Sequence, residues 1–78
     1  MNLHTYDSVF MELFSLEPSQ LDSTLLYQSI DTWDSLGHME LISKLESVFN
    51  VNLEMDDVID FSSYEEGKRI LMKYGVAL

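Results

Sequence analysis

Residues 34–49 read D-S-L-G-H-M-E-L-I-S-K-L-E-S-V-F, and the reading of this stretch decides the fold. Leu41, Ile42, Leu45, Val48 and Phe49 recur at i, i+1, i+4, i+7 and i+8, which is one apolar stripe on a helix of 3.6 residues per turn. Asp34 and Ser35 stand where an N-cap belongs, because a short side chain with an oxygen can accept from the free N–H groups of the first turn. Asn50 suits the residue that closes the helix. The segment therefore predicts an amphipathic helix over Leu36 to Phe49, with Val48 and Phe49 turned to the core and the Ser35 hydroxyl at its exposed start.

The flanking sequence adds three more helices and no strand pattern. From Leu3 to Phe14, apolar residues recur at Tyr6, Phe10, Leu13 and Phe14 on one helical face, with an end predicted near Leu16 because Pro18 forbids continuation. Between Pro18 and Trp33 lies a long loop rich in Ser, Asp and Thr, in which Leu21, Leu25, Leu26 and Ile30 are expected to hold it to the core, with room for one helical turn. A loop of that length without structure of its own usually serves a function. After Phe49 the run V-N-L looks extended, and Asp56 to Asp60 makes a short helix, because Val58, Ile59 and Phe61 need a surface to bury against. Ser62 with Glu65, and Ser63 with Glu66, each match a capping box that opens a last helix, whose apolar stripe is Tyr64, Ile70, Leu71 and Tyr74 and which ends at Gly75. The expected fold class is all-α: a small four-helix bundle of three main helices and a short third one, with a long loop between the first two.

Composition sets bounds on what such a chain does. With 78 residues it forms one domain, near the lower limit at which an apolar core is stable without disulfides or metal. Hydrophobic residues make up 46% and include four Phe, four Tyr and one Trp, so the sequence is that of a folded body and not of an acidic tail. Fourteen acidic residues stand against four basic ones, for a formal charge of −10. Such a charge repels nucleic acid and anionic membranes and selects basic patches on other proteins. No cysteine is present, so thiol chemistry must come from outside. The first residues lack the pattern of a signal peptide and no apolar run approaches a membrane span, which gives a cytoplasmic monomer as the expectation.

Asp34-Ser35-Leu36 at the start of an amphipathic helix, after a long loop and before a short third and a fourth helix, resembles the acyl carrier proteins and the related peptidyl carrier domains. The likeness spans about Leu3 to Tyr74 and includes the Glu40-Leu41 pair one turn on and the L-E-x-x-F run from Leu45 to Phe49. What it implies is a carrier and not an enzyme. Ser35 would receive 4'-phosphopantetheine from coenzyme A by the action of a magnesium-dependent phosphopantetheinyl transferase, and the thiol of that arm would hold an acyl or aminoacyl group as a thioester. The transferase supplies any base that Ser35 needs. Partners implied are the transferase, a loading ligase, and acyl-transferring or modifying enzymes with basic docking patches.

The resemblance also gives the neighbours roles. Asp34 presents Ser35 to the transferase and caps the helix. Leu36 matches an exposed hydrophobic contact, with a core position as the alternative. Met39 and Glu40, about one turn on, share a docking surface with Ser35, and the flexible thioether of Met39 suits a surface that meets several partners. His38 is read as a solvated histidine on the helix face and Trp33 as a loop anchor packed on the first or second helix. Glu54, Asp56, Asp57 and Asp60 lack the spacing and glycine of an EF-hand and read as a solvated acidic face. Gly37, His38, Ser43, Lys44 and Ser47 dilute the acidity of the second helix, which leaves Glu40 and Glu46 as its acids and favours a specialised carrier over a housekeeping fatty-acid one. Two other classes compete: a noncovalent acidic helical interaction module, with Ser35 only as a cap, and a calcium-responsive protein using the Asp56 to Asp60 cluster.

Charge density makes one prediction that needs no site. Self-repulsion at −10 on so small a body should weaken the fold at low ionic strength, so the melting temperature should rise when salt or millimolar divalent cation is added. A melting temperature flat across that range would show that the chain already places its charges far enough apart.

Overall fold

The computed structural model describes residues 2–78, in which helices α1 (Asn2–Phe14), α2 (Ser35–Phe49), α3 (Met55–Asp60) and α4 (Tyr64–Lys73) follow one another, with a 3-10 turn at Pro18–Gln20. The architecture is a small all-α bundle of four helices with a long loop between the first two. Helix α1 ends at Phe14, before Leu16, because Ser15 adopts a left-handed φ of 56° and the Leu16 N–H closes back on Met11 O at 3.1 Å. Pro18 is therefore not the stop. It opens the 3-10 turn, where a missing N–H leaves no bond unmade. Asn50 ends α2 in the same left-handed way at φ 54°, with Val51 N–H on Glu46 O at 3.1 Å.

Phe10 is the hub of the core. Its ring meets Tyr6 at 5.0 Å, Trp33 at 5.4 Å, Tyr64 at 5.5 Å, Phe14 at 6.0 Å and Phe61 at 6.4 Å. Leu41, Leu45, Ile70 and Leu71 complete the centre from α2 and α4. Two phenols clasp α1 to the start of α4: Tyr6 donates to Tyr64 O at 2.7 Å, and Tyr64 donates to Asp7 Oδ1 at 2.5 Å. Burial is the main reason that both phenols are raised above their ordinary value of 10.0. Gly67 permits this approach, since a Cβ there would overlap the Tyr6 hydroxyl and the Phe61 ring.

The long loop lies on the body. The radius of gyration is 11.2 Å, close to the roughly 11.5 Å expected of a compact chain this long. Leu25 and Trp33 are buried, and an antiparallel bridge joins Leu26 to Ser63. Around it, Tyr27 N–H donates to Ser62 O at 2.9 Å and Tyr64 N–H donates to Leu25 O at 3.0 Å, so the loop is strapped to the α3–α4 junction. Leu26 itself is exposed, contrary to the expectation that all four loop aliphatics point inward, because residues paired in a bridge alternate sides and Leu25 takes the inner one.

Two other expectations are corrected. Val48 is 40% exposed, because it lies in the last turn of α2, beyond the buried run that ends at Leu45, whereas Phe49 is half-buried and packs against the core as expected. The acidic run is not uniformly solvated either. Asp57 is buried, accepting from Lys73 Nζ at 2.5 Å and from the Tyr74 hydroxyl at 2.5 Å, and Tyr74 in turn accepts from Glu54 N–H at 2.8 Å. Lys68 and Arg69 pair with Glu65 and Glu66, so three of the four basic residues are spent on α3 and α4. Ser63 caps α4 by accepting from Glu66 N–H at 2.9 Å, while the Glu66 carboxylate turns to Arg69 and does not complete the box.

The Asp57 clamp gives the fold a pH dependence of known sign. Hydrogen bonds from Lys73 and then Tyr74 lower the Asp57 carboxyl below its ordinary 3.8. Its contribution to stability is therefore complete above that ordinary value and is lost as pH falls through the lowered folded one. Lys73 and Tyr74 are raised by the same contact, so their share is lost only at strongly alkaline pH. The stability difference between the wild type and Asp57→Asn, followed by thermal unfolding, should be constant from neutral pH down to about 5 and shrink below about 4. Protonation of the other carboxylates cancels in that difference. A gap that persists undiminished at pH 2 would show that Asp57 acts by shape and not by charge.

Candidate functional site

The N-terminus of α2 is built by Asp34, whose extended backbone (φ −101°, ψ −167°) turns its carboxylate onto the Gly37 N–H at 2.8 Å, while its carbonyl accepts from His38 N–H at 2.7 Å. Asp34 is thus the cap and Ser35 the first helical residue. Being free of the capping duty, the Ser35 side chain faces solvent, and the hydrogen bond it makes is with the Tyr27 hydroxyl, 3.1 Å away. Gly37 lets the loop come in this close. Its Cα is buried against the Thr32 carbonyl and the Phe14 ring, and a Cβ would overlap the Thr32 oxygen.

Trp33, immediately ahead of the cap, is wholly buried and stacks on Phe14 at 5.6 Å and on His38 at 6.2 Å, as the anchoring role requires. The indole N–H donates to His38 Nδ1 at 2.9 Å. An indole nitrogen can only donate, so Nδ1 accepts and the His38 proton sits on Nε2, which lies 2.9 Å from Val58 O and donates to it. His38 is therefore half-buried and structural, where a solvated histidine was expected: the buried indole needs an acceptor and His38 is the one within reach. With both ring nitrogens engaged, neither is open to Ser35.

A groove of about 370 Å³ opens beside Ser35, walled by Met39 of α2, Met55, Val58 and Ile59 of α3, Tyr27, Phe61 and Ser62. That volume lies in the usual range of small-molecule sites. The groove wall carries no Asp, Glu, Lys or Arg; its polar groups are the hydroxyls of Tyr27, Ser35 and Ser62 and the already bonded His38. A second, smaller hollow of about 230 Å³ on the other side of the helix start takes Asp34, Leu36 and Glu40, with Leu13 and Phe14 of α1. Ser35 and Met39, four apart, line the groove, and Leu36 and Glu40, also four apart, line the smaller hollow. Met39 and Glu40 also meet in an open hollow of about 510 Å³ with Leu13, Ser43, Lys44 and Ser47.

Leu36 is 70% exposed and Met39 53% exposed, so the alternative of a core position for Leu36 is removed. Glu40 is exposed as well, whereas Glu46 is drawn into the fold, its carboxylate accepting from Leu53 N–H at 2.9 Å. Met55 and Ile59 extend the apolar rim at 70% exposure each. Tyr27 was not singled out by the sequence; it is the lone aromatic in a stretch of polar and aliphatic residues, which is the signal that could have marked it. Val58, Ile59 and Phe61 were expected to bury: Phe61 does and Val58 does in part, but Ile59 stays outside because α3 turns it to the groove rim. Among the described residues, no group of three or more His, Cys, Asp or Glu side chains is placed to hold a metal ion, and no helix is long and apolar enough to cross a membrane.

Set against known protein families, curated proteins and solved structures, the chain matches none of them significantly.

Gly37 offers a test of how tightly the loop is seated on the helix start. Alanine is the better helix former by about 1 kcal/mol, but its Cβ would meet a backbone carbonyl that cannot rotate away. Gly37→Ala should therefore lower stability by about 1–3 kcal/mol in denaturant unfolding, the usual result of overpacking. A gain in stability would mean that residues 31–33 yield easily.

Proposed function

We propose that this chain is a carrier protein, in which Ser35 bears a 4'-phosphopantetheine arm and the domain presents the attached acyl or aminoacyl group to partner enzymes. One observation carries the reading: an exposed serine hydroxyl in the first turn of α2, with no structural duty in the cap, at the mouth of a charge-free groove. In the modification, Ser35 Oγ bonds to the phosphorus that bears pantetheine, the pyrophosphate P–O bond breaks, and the adenosine bisphosphate half of coenzyme A leaves with the electron pair. The serine proton passes to a base of the transferase or to solvent. The arm supplies the thiol that this cysteine-free chain lacks. The chain's own residues hold Ser35 outward, keep the helix start rigid through Asp34 and Trp33, and offer Leu36, Met39 and Glu40 around it.

The partners in this reading are a phosphopantetheinyl transferase, a loading ligase and transferring enzymes with basic docking patches, met in the cytoplasm by a monomer. With Lys68, Arg69 and Lys73 committed to ion pairs, the surface left to such partners is acidic, which raises association rates with basic faces. Sparse acid on α2 and the exposed Leu36 and Met39 favour a specialised carrier with a more apolar contact. The same exposed apolar residues, with Met55 and Ile59, support a second reading as a noncovalent interaction module.

Intact mass separates the two. Incubated with coenzyme A, magnesium and a broad-specificity transferase, the protein should gain one phosphopantetheine and Ser35→Ala none. The variant should keep its fold, since Ser35 is not the cap and gives up one exposed hydrogen bond worth about 1 kcal/mol or less. No adduct with several transferases, or an adduct on another serine, overturns the carrier reading.

A further inference from the structure

We infer that Tyr27 is a positioning residue for Ser35, holding its hydroxyl before modification and donating a hydrogen bond to the phosphodiester afterwards; the second half rests on the carrier reading. The phenol and Ser35 Oγ are 3.1 Å apart, and Tyr27 is placed there by contacts that owe nothing to its hydroxyl. Its N–H is fixed on Ser62 O at 2.9 Å. The next residue, Gln28, takes a left-handed φ of 67° and donates to Trp33 O at 2.9 Å. The ring lies edge-on to His38 at 5.2 Å and to Trp33 at 6.4 Å, two rings already locked by their own hydrogen bond. A phenylalanine would satisfy every one of these contacts. What the hydroxyl adds is the bond to Ser35.

The chemistry favours that bond more strongly once the serine is modified. A serine hydroxyl has three staggered positions, and the phenol selects one of them. When the Oγ–P bond forms, Oγ loses its proton and the new non-bridging oxygens carry a negative charge. A phenol O–H beside them makes a charge-assisted hydrogen bond, stronger than the neutral pair it replaces. The competing side-chain hydroxyl in the groove is that of Ser62. The Gly37 N–H is already taken by Asp34, whose carboxylate repels a phosphate, and neither Lys nor Arg lines the groove. Tyr27 stands on the groove side of the helix start, so it draws the root of the arm toward Met39 and α3 and away from Leu36 and Glu40. It transfers no proton in the reaction and is not a catalytic residue.

Tyr27→Phe is the test, because it keeps the ring and removes only the oxygen. With one transferase and coenzyme A, kcat for modification should fall about two- to tenfold, the size of one lost hydrogen bond, with KM for the protein unchanged and the melting temperature lowered no more than in Ser35→Ala, which loses the same bond. In the modified protein the phosphodiester 31P resonance of Tyr27→Phe should move toward that of a short unstructured peptide bearing the same group. A wild-type rate together with a wild-type 31P shift overturns the role of Tyr27 while leaving the carrier reading intact. Failure of the wild type itself to accept phosphopantetheine overturns both.

Discussion

The indole N–H of Trp33 is the polar group around which the site is organised. A buried donor left unpaired costs about 1–3 kcal/mol, and Trp33 is buried completely. His38, one turn into α2, pairs with it, and because the imidazole must then carry its proton on the far nitrogen, the same ring reaches Val58 O on α3. One relay of three groups thus joins the end of the loop, the first turn of α2 and the middle of α3. The relay lies under the groove beside Ser35, which His38 and Val58 both line.

Helix α3 depends on such contacts more than its neighbours do. Six residues are too few for an independent helix, and Met55 and Ile59 stay exposed, so its apolar seating falls to Val58 and to the flanking Leu53 and Phe61. Polar contacts tie it on two further sides: Val58 O on His38, and Asp57 between Lys73 and Tyr74 of the α4 end. The core proper runs through α1, α2 and α4 around Phe10. The wall that faces outward beside Ser35 is therefore held in part by hydrogen bonds to the core elements, while the floor is the aromatic cluster itself.

That division explains what could be read from residues alone. Periodicity and capping chemistry are local, so the four helices, the Asn50 terminus, the Ser63 cap, the burial of Trp33 and the exposure of Ser35 were legible within a few residues of each position. Contacts between distant segments were not. His38 reads as a surface histidine until Val58, twenty residues on, supplies its second partner, and Asp57 reads as one more acid until Lys73 folds back on it. Gly37 looked like a dilution of charge because nothing in its own helix says that the Thr32 carbonyl lies against it. Val48 was misplaced for a smaller reason: an apolar stripe shows which arc faces inward but not where the covered arc ends.

The assignment of Ser35 as the outward-acting group follows from what its neighbours are already doing. The Asp34 carboxylate is spent on Gly37 N–H, both nitrogens of His38 are spent on Trp33 and Val58, the Trp33 indole is spent on His38, and the backbone N–H of Tyr27 is spent on Ser62. Each would cost stability if diverted to a ligand. Ser35 Oγ, with Leu36, Met39 and Glu40 around it, has the Tyr27 hydroxyl as its partner, 3.1 Å away, an exposed bond on which no core element depends. In the carrier reading proposed above, a partner that engages Ser35 would displace that one exposed bond and leave those of Asp34, Trp33 and His38 in place.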